Sequence, residues 1–290
     1  MDSVPRIEHA LNAALYRAGA NGAPPGLIAA MRDAVFPGGA RIRPRLCLAV
    51  AAACDEDAPA ITDAAATAIE LLHCASLVHD DLPCFDNAAT RRGKPAVHRV
   101  FGEPLAVLAG DALIVLAFEV LAEASTPGRL VPLVQTISRA VGTPNGIVAG
   151  QAWESETDVV LADYHRAKTG SLFAAATMAG AIAAGANAEV WWALGDLIGH
   201  AYQVADDLRD ALGNPIELGK PTGVDEPLGR PSAVIRLGVD GAVRRLEQLV
   251  EAAVAAVPDC PGAGGLRRLL RKQVAHFIPT QAALDGYMAE

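Results

Sequence analysis

Apolar residues return at three- and four-residue spacing along most of the chain, which is the period of an amphipathic α-helix. The clearest stripes are Ile7, Leu11 and Leu15, and then Ile235, Val239, Val243, Leu246 and Val250. Helix-forming Ala, Leu, Glu and Arg dominate, whereas alternating runs rich in Val, Ile and Thr, which would predict strands, are missing. The pattern therefore predicts an all-α fold.

Pro, Gly and Asn residues interrupt this pattern and mark where the helices should stop. The predicted breaks fall at 21–25, 37–39, 83, 93–95, 126–128, 143–146, 213–215, 219–231 and 258–265. They leave about ten helices joined by short connections. Because no Gly/Ser linker or shift in composition divides the chain, we expect residues 1–290 to form a single domain.

Charge and composition exclude some classes of protein. The chain has 33 acidic against 24 Lys and Arg residues, a net charge of −9, so the basic surface of a nucleic-acid binder is not expected. A hydrophobic fraction of 52% excludes a disordered chain. An anionic substrate would need a local cluster of cations within this acidic protein.

The N-terminus is polar and lacks the apolar core of a signal peptide. The stretch from Thr169 to Ala188 carries no charge, but it consists mostly of Ala and Gly, which barely favour lipid. We therefore expect a closely packed internal helix there, no membrane span, and a cytoplasmic protein. Five cysteines without a Cys-x-x-Cys pair predict small buried side chains in a reducing compartment.

A first acidic cluster follows an apolar run. His73, Leu77 and Asp80 are spaced to share one face of a helix, and Asp81 comes next. Pro83 removes a backbone donor, so the helix should end there and let the following loop return towards Asp80. This return would bring the acidic residue of the loop, at position 86, near the helix end.

A second acidic cluster has helical spacing. Gln203, Asp206, Asp207 and Asp210 stand at i, i+3, i+4 and i+7, which is one face of a helix. Like charges one turn apart repel, and they repel more strongly when they are desolvated. Bound cations would relieve that repulsion. Carboxylate oxygens with no Cys or His at ligand spacing favour Mg²⁺ or Mn²⁺ over zinc, and two facing clusters could hold a diphosphate between several such ions.

Basic residues that could bind a phosphate occur in groups at the chain breaks. They are Arg41, Arg43 and Arg45; Arg91, Arg92 and Lys94; Lys168; and Lys220. Arg suits a bidentate grip on phosphate oxygens, whereas Lys acts as a point charge. The arrangement predicts a site for a phosphorylated ligand.

These residues carry a resemblance to the trans-isoprenyl diphosphate synthases, and most closely to the bacterial short-chain type. The first family motif appears as Asp80-Asp81, Asp86 and Arg91-Arg92-Gly93, and the second as Gln203, Asp206-Asp207, Asp210 and Gly219-Lys220. Between them stand Gly110-Asp111, Gly150-Gln151 and Lys168-Thr169-Gly170, in the family's order. The resemblance implies an isoprenoid-synthase helical bundle around a central cavity, usually in a homodimer. It also implies a prenyltransferase that extends an allylic diphosphate with isopentenyl diphosphate.

The resemblance also implies roles for the acidic residues. Asp80, Asp86 and Asp206 would be the principal ligands of about three Mg²⁺ ions, with Mn²⁺ as a possible replacement. The other acids of the two motifs would support them directly or through water; these are Asp81, Asp207 and Asp210.

The remaining implied roles concern the substrates. The allylic diphosphate would be gripped by Arg91, Lys168 and Lys220. Isopentenyl diphosphate would be held by Arg43, His73 and Arg92. The Thr169 backbone carbonyl and the Gln203 side chain would face the allylic cation that forms when diphosphate leaves.

Two positions depart from the family pattern. Ala40 stands where the family usually has Lys, so one phosphate contact is missing unless Arg41 or Arg45 replaces it. Arg230 stands where the family usually has a second Lys, which keeps the charge and changes the geometry. Neither departure affects the implied metal ligands.

Product length is predicted from the helix that leads to Asp80. Family members that stop at C15 often place a bulky aromatic residue five positions before the first Asp, and here Ala75 stands there, followed by Ser76. The small side chain leaves room for a longer product, so geranylgeranyl diphosphate (C20) is favoured over farnesyl diphosphate (C15). A non-catalytic subunit of a heteromeric prenyl synthase is a further alternative, raised by the loss of Lys at Ala40.

Overall fold

The computed structural model describes residues 3–20, 22–36, 38–124, 126–212 and 232–274. Its α-helices are Val4–Ala18 (α1), Pro25–Val35 (α2), Ile42–Ala53 (α3), Pro59–Asp80 (α4), Val97–Phe101 (α5), Glu103–Glu123 (α6), Leu130–Val141 (α7), Ile147–Trp153 (α8), Leu161–His165 (α9), Ser171–Ala183 (α10), Trp192–Leu212 (α11), Ala233–Ala255 (α12) and Ala263–Val274 (α13). A π-helical turn, Arg166–Gly170, joins α9 to α10, and a 3₁₀ turn, Glu189–Trp191, precedes α11. The predicted all-α fold is confirmed.

Most predicted breaks within the described residues separate helices, and three details differ; the breaks predicted at 213–215 and 219–231 lie outside the described residues. The break predicted at 258–265 extends too far, because α13 already begins at Ala263. A break at Gly102 was missed; its φ of 82° separates α5 from α6, a conformation that glycine adopts without strain. In α12 the apolar stripe holds from Val239 onwards, but Ile235 is 58% exposed, because the non-helical Gly238 turns the first segment of α12 away from the second.

A two-residue hairpin follows the first acidic motif. Strand β1 (Thr90–Arg91) pairs antiparallel with β2 (Lys94–Pro95), and Arg91 lies opposite Lys94. Both residues of the turn, Arg92 and Gly93, have positive φ, at 53° and 75°, as a tight hairpin turn of the mirror-image type requires. The sequence predicted a break here but no strands, since each strand is too short to show a period.

The core is built from small residues that let helices approach closely. Nearly every residue of α10 is buried, in agreement with the internal helix predicted within 169–188. A Cβ added at Gly180 would overlap the Cys47 carbonyl oxygen of α3, and one at Gly195 would overlap the α10 backbone at Ala174. Glycine at these two positions sets the distances of α3 and α11 from α10.

Helices α4 and α6 form the other tight crossing, at Gly110, where an added Cβ would overlap the His79 ring. Both helices are long and apolar enough, by length and composition alone, to cross a membrane. In α4, 78% of the most apolar window is buried inside the protein, against 44% in α6. Helix α4 is therefore long and apolar because it packs in the core, and its last turn carries Asp80.

The cysteines are free, and two of the five are buried as predicted, Cys47 and Cys74. Cys54 and Cys260 are partly buried, and burial together with the neighbouring Cys260 raises the pKa of Cys54 to about 11. Cys84 is exposed, contrary to the prediction, because it lies in the loop after Pro83 and not on a helix.

Candidate active site

The loop after α4 folds back as the sequence predicts. The backbone N–H of Asp86 donates to the Asp80 carbonyl oxygen at 2.9 Å, and those of Phe85 and Asn87 both donate to the Leu82 carbonyl. These bonds hold Asp86 beside the end of α4. Asp80 is buried, whereas Asp86 is exposed.

Asp80 lies between one cation, one amide and two further acids. Its Oδ1 accepts from Gln151 Nε2 at 2.8 Å and lies 3.7 Å from Lys168 Nζ. Burial raises the pKa of Asp80, the charges of Asp86 and Glu154 add to the increase, and Lys168 and Gln151 partly oppose it. Burial is the main reason that the charged form of this carboxylate is disfavoured, and a bound cation would stabilise that form, which suits a cation-binding group.

The π-helical turn connects the two acidic motifs. Lys168 Nζ donates to Glu154 Oε1 at 2.5 Å and also faces Asp80, while the next residue, Thr169, donates from Oγ1 to Gln203 Oε1 at 3.3 Å. A Cβ at Gly150 would overlap the Lys168 backbone, so this glycine of α8 lets the turn approach. A π-helical turn shifts the register of a helix, and such turns are frequent at functional sites.

The second acidic motif lies on α11, and its members differ in environment. Asp207 is buried; its Oδ1 accepts from Gln203 Nε2 at 3.0 Å and its Oδ2 from the Ala233 backbone N–H at 2.7 Å. Its carboxylate thus binds an unpaired donor at the start of α12. Asp206 lies 4.0 Å from Arg209 Nη1 and is more exposed, as is Asp210. The family resemblance implies a metal-supporting role for Asp207, and the structure adds a contact that fastens α12.

The three residues assigned to isopentenyl diphosphate come together. Arg43 Nη1 donates to His73 Nε2 at 3.4 Å, and the Arg43 guanidinium stacks on the Phe173 ring, 4.3 Å from its centre. Arg92 reaches the same region, since a Cβ at Gly39 would lie 3.0 Å from its guanidinium. Burial, together with the charges of Arg43 and Arg92, lowers the pKa of His73 well below its usual value, so the imidazole is neutral at neutral pH.

Other cations predicted to meet phosphate are engaged within the protein. Arg91 forms an ion pair with Asp81, with Nε 2.9 Å from Oδ1. Lys94 donates to Asp33 at 2.9 Å and to the Phe36 carbonyl, so it ties the hairpin to α2. Both side chains are 35% exposed, but Arg91 pairs with an acid of the first motif, whereas Lys94 pairs with α2 and serves the fold.

Arg41 does not replace the contact missing at Ala40. Its side chain is 1% exposed and its guanidinium is fully engaged by Glu8, Glu70 and the Val35 carbonyl. Arg45 is partly buried and its Nε has no hydrogen-bond partner, so it is the remaining candidate for that contact.

The two residues predicted to set the product length, Ala75 and Ser76, lie on α4 between His73 and Asp80. Ala75 is 1% exposed within the core. Ser76 is partly buried; its Oγ donates to the His73 carbonyl at 2.9 Å, and its own carbonyl accepts from Gln151 Nε2 at 3.2 Å. Both residues therefore lie on α4 a little more than one turn before Asp80, and Ser76 shares the Gln151 side chain with it.

Two of the sequence assignments, Lys220 and Arg230, lie outside the described residues. Within the described part of the chain, no three His, Cys, Asp or Glu side chains form a ready-made metal site. The predicted metal ligands thus form two sets: Asp80 and Asp86 lie at the end of α4, and Asp206 lies on α11.

The structure places three residues at the site to which the sequence analysis assigned no role: Gln151, Glu154 and Tyr164. Gln151 appeared only as part of a family motif, yet it holds both Asp80 and the Ser76 carbonyl. Glu154 accepts from Lys168 and from the Tyr164 hydroxyl, each at 2.5 Å. Glu154 follows the end of α8 and Lys168 lies in the π-helical turn, so the two belong to different elements and no periodicity within one helix could reveal the pair.

The chain is similar to known proteins over most of its length. The polyprenyl synthetase family model matches residues 25–260. The chain is 56% identical over 280 residues to the geranylgeranyl diphosphate synthase of Cereibacter sphaeroides, covering 96% of this chain and 97% of that one. It is 54% identical to the enzyme of the same name from Rhodobacter capsulatus, covering 97% and 98%.

A solved structure gives the same answer for the fold. The geranyltransferase of Helicobacter pylori, crystallised with magnesium and isoprenyl diphosphate, superposes with a TM-score of 0.79 at 29% identity, covering 95% of this chain and 98% of that one. The helical bundle is therefore that of the isoprenoid synthases. With the two acidic motifs, the lysine between them and a family match over most of its length, the chain belongs to the polyprenyl synthetase family.

Proposed function

We propose that the protein is a short-chain trans-prenyltransferase that condenses isopentenyl diphosphate with an allylic diphosphate and forms geranylgeranyl diphosphate. The observation that carries this proposal is the π-helical turn, in which Lys168 faces Asp80 and Thr169 faces Gln203. A cation and polar oxygen atoms thus lie side by side between two carboxylate sets. Such a surface can grip a diphosphate and also face the carbon from which it departs.

The two carboxylate sets suit magnesium. Asp80, Asp86 and Asp206 are the proposed ligands of about three Mg²⁺ ions, which Mn²⁺ could replace. Each Mg²⁺ usually takes one or two carboxylates and completes its shell with water and substrate phosphates, so a ready-made group of three carboxylates is not needed. When bound, the ions would neutralise the charge that develops on the leaving diphosphate.

The proposed roles of the other residues are those that the family resemblance implies. Lys168 and Arg91, with Lys220 outside the described residues, hold the allylic diphosphate. Arg43, His73 and Arg92 hold isopentenyl diphosphate. The Thr169 carbonyl and Gln203 stabilise the allylic cation by their partial negative charge, and the surrounding apolar helices exclude the water that would trap it.

The C20 product is supported by two of the relatives compared above, which are geranylgeranyl diphosphate synthases. It is also supported by the small side chain of Ala75, which stands where family members that stop at C15 often carry a bulky aromatic residue. Farnesyl diphosphate is the second candidate, since a shorter space would stop the chain at C15.

We also propose that the enzyme is a cytoplasmic homodimer without a membrane span or a nucleic-acid partner. The support for a dimer comes from α6, where Val107, Leu108 and Val115 are 41%, 51% and 66% exposed. An apolar surface of this kind on a long helix suits a symmetric contact with a second copy. The molecular mass in solution tests this: a monomer at micromolar concentration would contradict it.

A product assay tests the activity. Purified protein, Mg²⁺ and labelled isopentenyl diphosphate are mixed separately with C5, C10 and C15 allylic primers, and the dephosphorylated products are sized by chromatography. We expect a dominant C20 alcohol. A C15 alcohol would keep the reaction and correct the product, whereas no elongation from any primer would support the non-catalytic subunit.

A further inference from the structure

The Arg41 side chain joins four helices, although it binds no predicted substrate. Arg41 is the N-cap of α3, with φ at 50°. Its guanidinium donates from Nε to Glu8 of α1 at 2.8 Å, from Nη1 to Glu70 of α4 at 2.6 Å, and from Nη2 to the Val35 carbonyl at the end of α2 at 2.8 Å. Only the planar, five-donor fork of Arg can serve three acceptors in this way.

The ion pair with Glu70 runs parallel to a contact at the site. Arg43 follows Arg41 by two residues, and His73 follows Glu70 by three, one helical turn. Arg41–Glu70 and Arg43–His73 therefore join the same two segments, the first turn of α3 and the middle of α4. Both side chains of the first pair are at most 2% exposed, so this contact is fully shielded from solvent.

Arg43 has few contacts of its own that fix its direction. Among the described residues, it stacks on the rings of Phe173 and Tyr202 and makes one hydrogen bond of 3.4 Å to His73, while its buried Nε has no hydrogen-bond partner there. Stacking restrains the plane of a guanidinium but allows it to slide. The direction of Arg43 therefore depends on where the backbone of α3 begins, which is the point that Arg41 fastens to α4.

A buried ion pair is weak evidence for stability, because the cost of desolvating both charges offsets much of their attraction. Such pairs are best attested where they fix the register of two elements. We propose that the Arg41–Glu70 ion pair positions Arg43 and His73 for the diphosphate of isopentenyl diphosphate. The inference rests on the proposed function, and it makes Arg41 and Glu70 positioning residues for one of the two substrates.

Glu70→Gln tests this role, with Glu8→Gln as the matched control. Both substitutions remove one ion pair from the same Arg41, but only Glu70 lies on the helix that carries His73. In the full-length enzyme we expect Glu70→Gln to raise the KM for isopentenyl diphosphate about tenfold, the scale of effect of small misplacements at a site. The KM for the allylic substrate should stay within about twofold, and Glu8→Gln should leave both close to the wild-type values.

Two further measurements separate positioning from general damage. Titration calorimetry of isopentenyl diphosphate should show the same loss of affinity in Glu70→Gln, independently of turnover. If Glu70→Gln does not fold, Arg41→Lys replaces it. Lys keeps the charge, but its donors sit on one nitrogen and cannot reach acceptors that are spread around three nitrogens of a guanidinium, so the same selective rise in KM is expected.

The outcomes that overturn the inference are specific. Equal rises in the KM of both substrates, a change in kcat alone, or an equal effect of Glu8→Gln would each reject the positioning role. If the wild-type chain elongates no primer, the proposed function itself fails. A wild type that elongates, together with an unchanged KM in a folded Glu70→Gln variant, rejects only the inference.

Discussion

Gln151 Nε2 donates to Asp80 Oδ1 at 2.8 Å, which fastens α8 to the last turn of α4 at the buried carboxylate of the first motif. The same amide nitrogen also donates to the Ser76 carbonyl at 3.2 Å. One residue thus holds both the proposed metal ligand and the backbone of the predicted product-length segment.

Gln151→Leu removes this donor at similar size. We expect kcat/KM to fall about 10- to 100-fold, the usual effect of losing a group that orients a metal ligand. Steady-state kinetics at several Mg²⁺ concentrations measure it, with Gln135→Leu on the exposed face of α7 as the control. Wild-type kinetics in Gln151→Leu would show that the orientation of Asp80 does not depend on this hydrogen bond.

If Lys168 binds the allylic diphosphate as proposed, Glu154 competes with that substrate for the Lys168 ammonium group. It accepts from Lys168 Nζ at 2.5 Å and adds a negative charge beside Asp80. Glu154→Gln should therefore lower the KM for the allylic diphosphate about two- to fivefold, as expected from a partly exposed ion pair. Lys168→Met should raise it. If Glu154→Gln weakens allylic binding instead, the role of Glu154 is to orient Lys168 and not to restrain it.

A graded series at Ala75 tests the product length. Val, Leu and Phe at this buried position add increasing volume next to the site, so the product should shorten from C20 towards C15 in that order. The assay sizes the prenyl alcohols made by each variant, after thermal unfolding has shown that the variant is folded. A folded Ala75→Phe enzyme that still makes C20 would place the end of the product elsewhere.

The pH dependence of stability should include a contribution from His73. Its pKa in the folded protein is lowered by burial and by Arg43 and Arg92, whereas the unfolded chain titrates near the usual value of about 6.5. Below about pH 6.5 the unfolded chain therefore binds more protons than the folded one, and stability falls as the pH falls.

Replacing His73 with Asn removes this proton linkage. Urea denaturation at about pH 7.5 and about pH 5.5 should show a smaller loss of unfolding free energy in His73→Asn than in the wild type. Equal losses in the two proteins would mean that His73 is protonated in the folded state at the lower pH.

The close contact of α10 with α3 should tolerate no side chain at Gly180. Gly180→Ala pushes a methyl group into the Cys47 carbonyl and should lower the unfolding free energy by about 1–3 kcal/mol. Gly265→Ala, on an exposed turn of α13 with open space around it, should instead raise it by up to about 1 kcal/mol. Urea denaturation measures both, and equal effects would contradict the tight crossing.

The all-α class, most of the helix ends within the described residues, and the positions of the acidic and basic motifs were all predictable from the sequence alone. These are local properties: a period of three to four residues reports an amphipathic helix, and Pro83 alone accounts for the loop that brings Asp86 back to Asp80. The helical face that carries Gln203 and the second acidic motif was readable for the same reason.

The roles of the charged residues, by contrast, depend on tertiary contacts, which show which of them are paired inside the protein and hold the fold. Arg41 and Arg43 stand two positions apart in one basic run, yet one is engaged by three helices and the other faces His73. Asp207 likewise caps α12, which begins 26 residues later. Sequence spacing cannot assign such roles, because the partners of each charge come from distant helices, and burial decides whether a charge must be paired inside the protein or is left for a ligand.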